Sequence, residues 1–226
     1  RELRDEDAGF DAGDRGEPAG ARRAEELVHA VQRVEVHDAA RPRPPKVTPG
    51  MPLLKEAPPS DAIILFDGKD LSKWASVVKG ESLPARWKVE NGYMEMVKDG
   101  GRIATREKFG DCQLHVEFMV PNEAGGSGQG RGNSGVEIMG RYEIQVLDGD
   151  KTKHGMGAVI NETESPYHAY NGVGKWNAYD IVFRAARFQD GKRTEKAMRT
   201  MYFNGVKVHT NQTNNQDTNE RDIDAA

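Results

Sequence analysis

Cysteine is almost missing from this 226-residue chain: Cys112 stands alone. A lone thiol cannot close an intrachain disulfide or build a thiolate metal cage, so an apolar core has to stabilise the fold. Long apolar runs are missing too. No window approaches the roughly 18 apolar residues that a spanning helix needs, which excludes a helical membrane span. The opening Arg1-Glu2-Leu3-Arg4-Asp5 has no apolar stretch like that of a signal peptide, so any export signal has been removed or never existed. Nor is there an excess of positive charge. With 32 basic and 36 acidic residues the chain offers little to neutralise phosphates, which argues against a nucleic-acid partner.

What is present falls into unlike parts. Residues 1–40 contain 6 Arg, no Lys and 11 acidic residues, with Phe10 the sole aromatic. Burial there cannot offset an ordering cost of about 1–2 kcal/mol per residue, so this leader is read as poorly ordered. Ala24, Leu27, Val28, Val31 and Val34 recur at helical spacing within 21–36, which reads as a marginal helix. Residues 41–60 form a Pro-rich linker holding seven of the eleven prolines. The composition changes at Asp61, where the folded domain is expected to begin and run to about His209. A polar, disordered tail is expected over 210–226.

Within 61–209, short β-branched and aromatic runs alternate with Asn-Gly and Asp-Gly turns. They are 87–90, 93–97, 102–105, 112–120, 135–139, 142–147, 179–187, 200–203 and 206–209. No run has a helical period, although Asp70–Trp74 could close one short helical turn. Strands of this length and spacing predict an all-β antiparallel two-sheet sandwich.

Three strands carry a polar side. Leu114, Val116 and Phe118 alternate with His115 and Glu117. Val136 and Ile138 alternate with Gly135 and Glu137, and Tyr142, Ile144 and Val146 alternate with Glu143 and Gln145. A two-residue turn at 140–141 would oppose Ile138 to Glu143, mixing the two faces. A three-residue connection, Met139-Gly140-Arg141, opposes Ile138 to Tyr142 and Glu137 to Glu143. Opposed carboxylates about 5 Å apart repel unless a proton or cation is shared. The small Gly135 would leave a hollow into which His115, Glu117, Glu137, Glu143 and Gln145 point, a surface suited to sugar hydroxyls.

Other motifs lead nowhere. Gly130-Arg131-Gly132-Asn133-Ser134-Gly135 matches the dinucleotide fingerprint in form, but a strand follows it where the fingerprint needs a helix. His154 and His168 lack zinc spacing, and Asp148, Asp150 and Asn161 lack the ligand series of a calcium loop. No Ser or Cys sits in a nucleophile elbow.

Five ordered segments carry a resemblance: Leu65–Trp74, Trp87–Gly92, Gly132–Val136, Arg141–Asp148 and Lys175–Ile181. Over residues 61–209 they resemble the 3-keto-disaccharide hydrolase domain. The resemblance implies a concanavalin A-like jelly roll, usually periplasmic or extracellular, acting on an oligosaccharide or glycoside oxidised to a ketone at sugar carbon 3. A 3-ketone acidifies the hydrogen on carbon 2. A carboxylate or His base could then remove it while an Arg or a divalent cation holds the enolate charge, with no other cofactor implied. Motif by motif, Glu143 takes the place of the base, Gln145 contacts sugar, Arg131 or Arg141 stabilises the oxyanion, and Asn133, Ser134 and Asp148 position the substrate. Trp176 is a stacking platform or a core anchor. Family members more often carry an apolar residue where Glu137 stands, and they continue into a further strand after the Phe203–Val206 hairpin. A non-catalytic carbohydrate-binding sandwich and an inactive shortened member are the alternative readings.

Overall fold

The computed structural model describes residues 44–47, 57–78, 81–122, 124–149 and 152–218. The leader, the marginal helix expected within it, most of the Pro-rich linker and Asp150 lie outside these residues. Thirteen strands are described: β1 Trp74–Val78, β2 Glu81–Pro84, β3 Lys88–Glu90, β4 Tyr93–Glu95, β5 Ile103–Thr105, β6 Cys112–Met119, β7 Ser134–Ile138, β8 Tyr142–Val146, β9 Trp176–Arg184, β10 Arg187–Gln189, β11 Lys192–Glu195, β12 Met198–Phe203 and β13 Val206–Thr213. One short 3-10 turn, Gly128–Gly130, interrupts them. The fold is an all-β sandwich. All named strand pairings are antiparallel.

The principal sheet has the order β13-β12-β9-β6, and β7 pairs with β8 as a separate hairpin. Alternation along each strand builds the core between them. Leu114 and Phe118 of β6, Tyr179, Ile181 and Phe183 of β9, and Met201 and Phe203 of β12 form one side. Val136, Ile138, Tyr142, Ile144 and Val146 of the hairpin form the other. Phe118 and Tyr179 meet with ring centroids 4.6 Å apart, and Tyr142 reaches Phe183 at 5.9 Å across the interface. The Tyr179 hydroxyl, fully buried, donates to the Gln145 carbonyl at 2.7 Å and ties the two layers together.

The β7–β8 register is the expected one, with Ile138 opposite Tyr142 and Glu137 opposite Glu143. Met139 and Gly140 both adopt positive φ, 56° and 62°, and the Arg141 amide closes the turn on the Ile138 carbonyl at 3.1 Å. Two successive left-handed residues match the twist of the flanking strands, and glycine accepts that backbone without strain.

Three expectations need correction. Asp70–Trp74 forms no helix: Ser72 and Lys73 make a turn, and Trp74 opens β1. There the Ser72 amide donates to the Asp70 carboxylate at 2.8 Å, a side-chain bond that competes with helical hydrogen bonding. Second, the chain does not leave the sheet at Thr210, because β13 continues to Thr213 and Asn214 and Asp217 are buried beyond it. Third, β1, β2, β10 and β11 were not among the anticipated runs. β1 and β2 join β5 in a three-stranded sheet, while β10 and β11 pair with each other.

Candidate functional site

The outer face of the β7–β8 hairpin carries Gly135, Glu137, Glu143 and Gln145. Glu143 spends its main-chain groups away from β7: its amide donates to the Thr218 hydroxyl at 2.9 Å, and its carbonyl accepts from the Ile160 amide at 3.1 Å. Glu137 and Glu143 therefore face each other as a pair that exchanges no ladder hydrogen bonds, the arrangement in which opposed side chains come closest. Gly135 gives Glu143 its place. A Cβ at position 135 would lie 2.2 Å from Glu143 Oε1 and 2.8 Å from its Cδ, so the carboxylate lies in the space that glycine leaves open. Burial, and next the charge of Glu137, raise the Glu143 carboxyl above its ordinary value, while Arg102 opposes the shift. Arg102 Nη1 stands 3.3 Å from Glu137 Oε2.

Gln145 is 3% exposed although it points outward, because neighbouring loops cover it. Its Nε2 donates to Gln129 Oε1 at 3.3 Å, whereas its Oε1 is buried without a hydrogen-bond partner. Asn133 Nδ2 donates to the Gln129 carbonyl at 2.9 Å and ties the start of β7 to the glycine-rich loop. Ser134 is exposed and pairs with Val146. Arg131 Nε meets Asp148 Oδ2 at 2.5 Å, and one of its terminal nitrogens donates to the Ala124 carbonyl. These two contacts fix the guanidinium plane at the base of the loop. Arg141 is directed elsewhere, with Nη1 3.6 Å from Asp217 Oδ2.

His115 and Glu117 are not part of this face. Their β6 pairs with β9, and Leu114 and Phe118 pack against the core, so His115 and Glu117 point away from the hairpin on the other outer surface of the sandwich. The hollow expected from three strands is thus two separate faces. On the second face His115 Nδ1 lies 2.6 Å from Asp180 Oδ1 and Nε2 3.4 Å from Glu117 Oε1. The Asp180 hydrogen bond raises the imidazole above its ordinary value against the opposing effect of burial. Trp176 opens β9 opposite Met119 and meets Tyr93 edge-on at 6.1 Å, so it belongs with the principal sheet and not with the hairpin.

Sequence reasoning missed Arg102, Gln129 and Thr218. Nothing local marks them, because each reaches the hairpin through tertiary contact. Among the described residues, no group of three or more His, Cys, Asp or Glu side chains could hold a metal ion. No helix of the described residues is long and apolar enough to cross a membrane.

The chain is thus an all-β sandwich with a pair of opposed carboxylates on the outer face of one hairpin. The chain belongs to the family of the 3-keto-alpha-glucoside-1,2-lyase-like domain, whose model matches residues 61–224. A putative glycosyl hydrolase from Parabacteroides distasonis ATCC 8503, solved at 2.13 Å, is 36% identical, with a TM-score of 0.68 over 84% of this chain and 80% of that one. A second putative glycosyl hydrolase from the same organism, solved at 1.70 Å, is 19% identical, with a TM-score of 0.50 over 66% of this chain and 71% of that one. It supports the fold alone. A comparison with curated proteins found no match.

Proposed function

We propose that this chain cleaves glycosides already oxidised to a ketone at sugar carbon 3, by elimination followed by hydration. The observation that carries the proposal is Glu143: a half-buried carboxyl held above its ordinary value and seated over Gly135 on an outward face. Such a group suits general-base work near neutral pH better than a fully solvated carboxylate does.

Glu143 takes the proton from sugar carbon 2, and the electron pair moves onto the carbon 3 oxygen as an enolate. Re-forming the ketone expels the aglycone oxygen from carbon 1 and leaves a carbon 1–carbon 2 double bond conjugated with the ketone. The proton held by Glu143 goes to the departing oxygen. Water then adds across the double bond, hydroxyl to carbon 1 and hydrogen to carbon 2, which completes a net hydrolysis. This route needs no oxocarbenium ion, unlike the two-carboxylate mechanism of ordinary glycosidases. Gln145 makes no sugar contact in this scheme, because its Oε1 is buried. Arg131, its plane set by Asp148 and Ala124, supplies positive charge to the enolate oxygen, and Asn133 lines the approach, whereas Ser134 shares the face of Val146 and takes no part. Arg141 has no part in this scheme, since it faces Asp217. The family reading also favours a periplasmic or extracellular setting.

The test is release of aglycone from a chromogenic 3-keto-glucoside and from the corresponding plain glucoside. Release from the keto form alone is expected, with Glu143→Gln reducing kcat by about 10²–10⁴-fold. Unchanged turnover in that variant removes Glu143 as the base. Binding of the keto form without release by the natural chain overturns catalysis in favour of a carbohydrate-binding role.

A further inference from the structure

Glu137 has no role in the scheme above, yet the fold places it directly opposite Glu143 with a guanidinium beside it. We propose that Glu137 is a positioning residue: together with Arg102 it sets the pH range over which Glu143 can accept a proton. This rests on the reading of Glu143 as the base, but its physical content is independent of any substrate.

Geometry comes first. The two carboxylates are cross-strand partners in a pair that exchanges no ladder hydrogen bonds, and the Glu143 carboxylate lies over Gly135, two residues before Glu137 on the same strand. The register of the hairpin therefore fixes the two residues opposite each other, and the space over Gly135 takes the Glu143 carboxylate. Around it the charged groups are few. Arg102, from the residue before β5, reaches Glu137 Oε2 at 3.3 Å. Arg141, at the end of the turn, faces Asp217. Glu162, on the segment beside β8, accepts from the Asn215 side chain at 3.0 Å and from the main-chain amides of Asn215 and Gln216. Among the described residues, Glu137 and Arg102 are the charged side chains that act on Glu143, and they pull in opposite directions.

Proximity to Glu137 favours the protonated form of Glu143, because two ionised carboxylates at this spacing repel. Arg102 moderates that effect through Glu137. Its side chain is 70% exposed, so its bond to Glu137 adds little to folding stability, and its consequence is electrostatic. The direction obtained for Glu143, with burial first and Glu137 second, agrees with this geometry.

Titration of the Glu143 carboxyl carbon, followed by carbon-13 NMR on the full chain, reads the effect without substrate. Glu137→Gln and Glu137→Leu, the second unable to donate a hydrogen bond, are both expected to move the Glu143 titration toward acid. Arg102→Ala is expected to move it toward alkaline pH. The acid limb of the pH–rate profile for 3-keto-glucoside cleavage should move in the same sense in each variant. A Glu143 titration unchanged in both Glu137 variants overturns the proposal, as does a shift of Arg102→Ala in the acid direction. If the titrations move as expected while no aglycone is released by any form, the electrostatic setting stands and the assignment of Glu143 as base fails.

Discussion

Arg199 offers the largest energetic consequence of this fold. It lies on the core side of β12 at 1% exposure, and its Nε and both terminal nitrogens are buried without a hydrogen-bond partner. Burial pushes the guanidinium down to about 10 from an ordinary 12.5, with Glu162 and Tyr142 opposing the shift. A change of that size corresponds to about 3 kcal/mol of unfavourable charging carried by the native state at neutral pH. Arg199→Met removes the charge and keeps an unbranched chain in the core. The smaller side chain leaves some volume unfilled, which costs about 1–2 kcal/mol. Glu162 is not stranded, because the main-chain amides of Asn215 and Gln216 and the Asn215 side chain still bind it. The variant should therefore gain about 1–2 kcal/mol, or about 2–8 °C in Tm. Linkage fixes the pH dependence. The unfolded chain holds the Arg199 proton more tightly than the native state does, so wild-type stability at this site rises with pH from about 10 upward. The advantage of Arg199→Met is thus complete below about pH 10 and shrinks above it. Urea unfolding of both proteins at pH 7, 9 and 11 measures this directly. A variant less stable than wild type at pH 7, or an advantage that grows between pH 9 and 11, refutes the reasoning.

Gly135→Ala should separate catalysis from folding. Its Cβ would occupy the position of the Glu143 carboxylate, so aglycone release should fall by about 10²-fold through misplacement of the base. Position 135 is exposed with an ordinary φ, and Tm should change little; equal losses of activity and Tm would instead mean that the hairpin unfolds. Tyr179→Phe removes the hydroxyl donor to the Gln145 carbonyl, but that oxygen keeps the Gly157 amide at 3.0 Å. The cost in chemical denaturation should sit near 1 kcal/mol, since no buried acceptor is orphaned. A loss above 3 kcal/mol would show that the layers depend on this bond more than the geometry allows.

The register of β7 and β8 was legible in the sequence because a hairpin is local: one loop length keeps apolar residues opposite apolar ones, and it places Glu137 opposite Glu143. Alternation also showed which side of β6 is core. It could not show which sheet β6 joins. Its partner β9 begins 57 residues after β6 ends, and that pairing, invisible to any local pattern, sends His115 and Glu117 to the opposite surface from Glu143. Thr210–Thr213 misled for a different reason. β13 is the edge of its sheet, so main-chain bonds to β12 hold a segment whose side chains are mostly polar and exposed, and composition alone reads such a segment as a tail.

The same nonlocality explains how the candidate base is held. β8 has β7 on one side, and on its other side stand not a strand but Ala158, Ile160 and Thr218, which bond the main chain of Gln145 and Glu143. An amide and a carbonyl left unpaired at a half-buried position would each cost the free energy of a lost hydrogen bond. The segment after β8 and the stretch after β13 therefore close the exposed edge of the hairpin at Glu143 and Gln145. The main chain of Glu143 and Gln145 is fixed by β7 on one edge and by distant parts of the chain on the other, so the position proposed for the base is set by the fold itself.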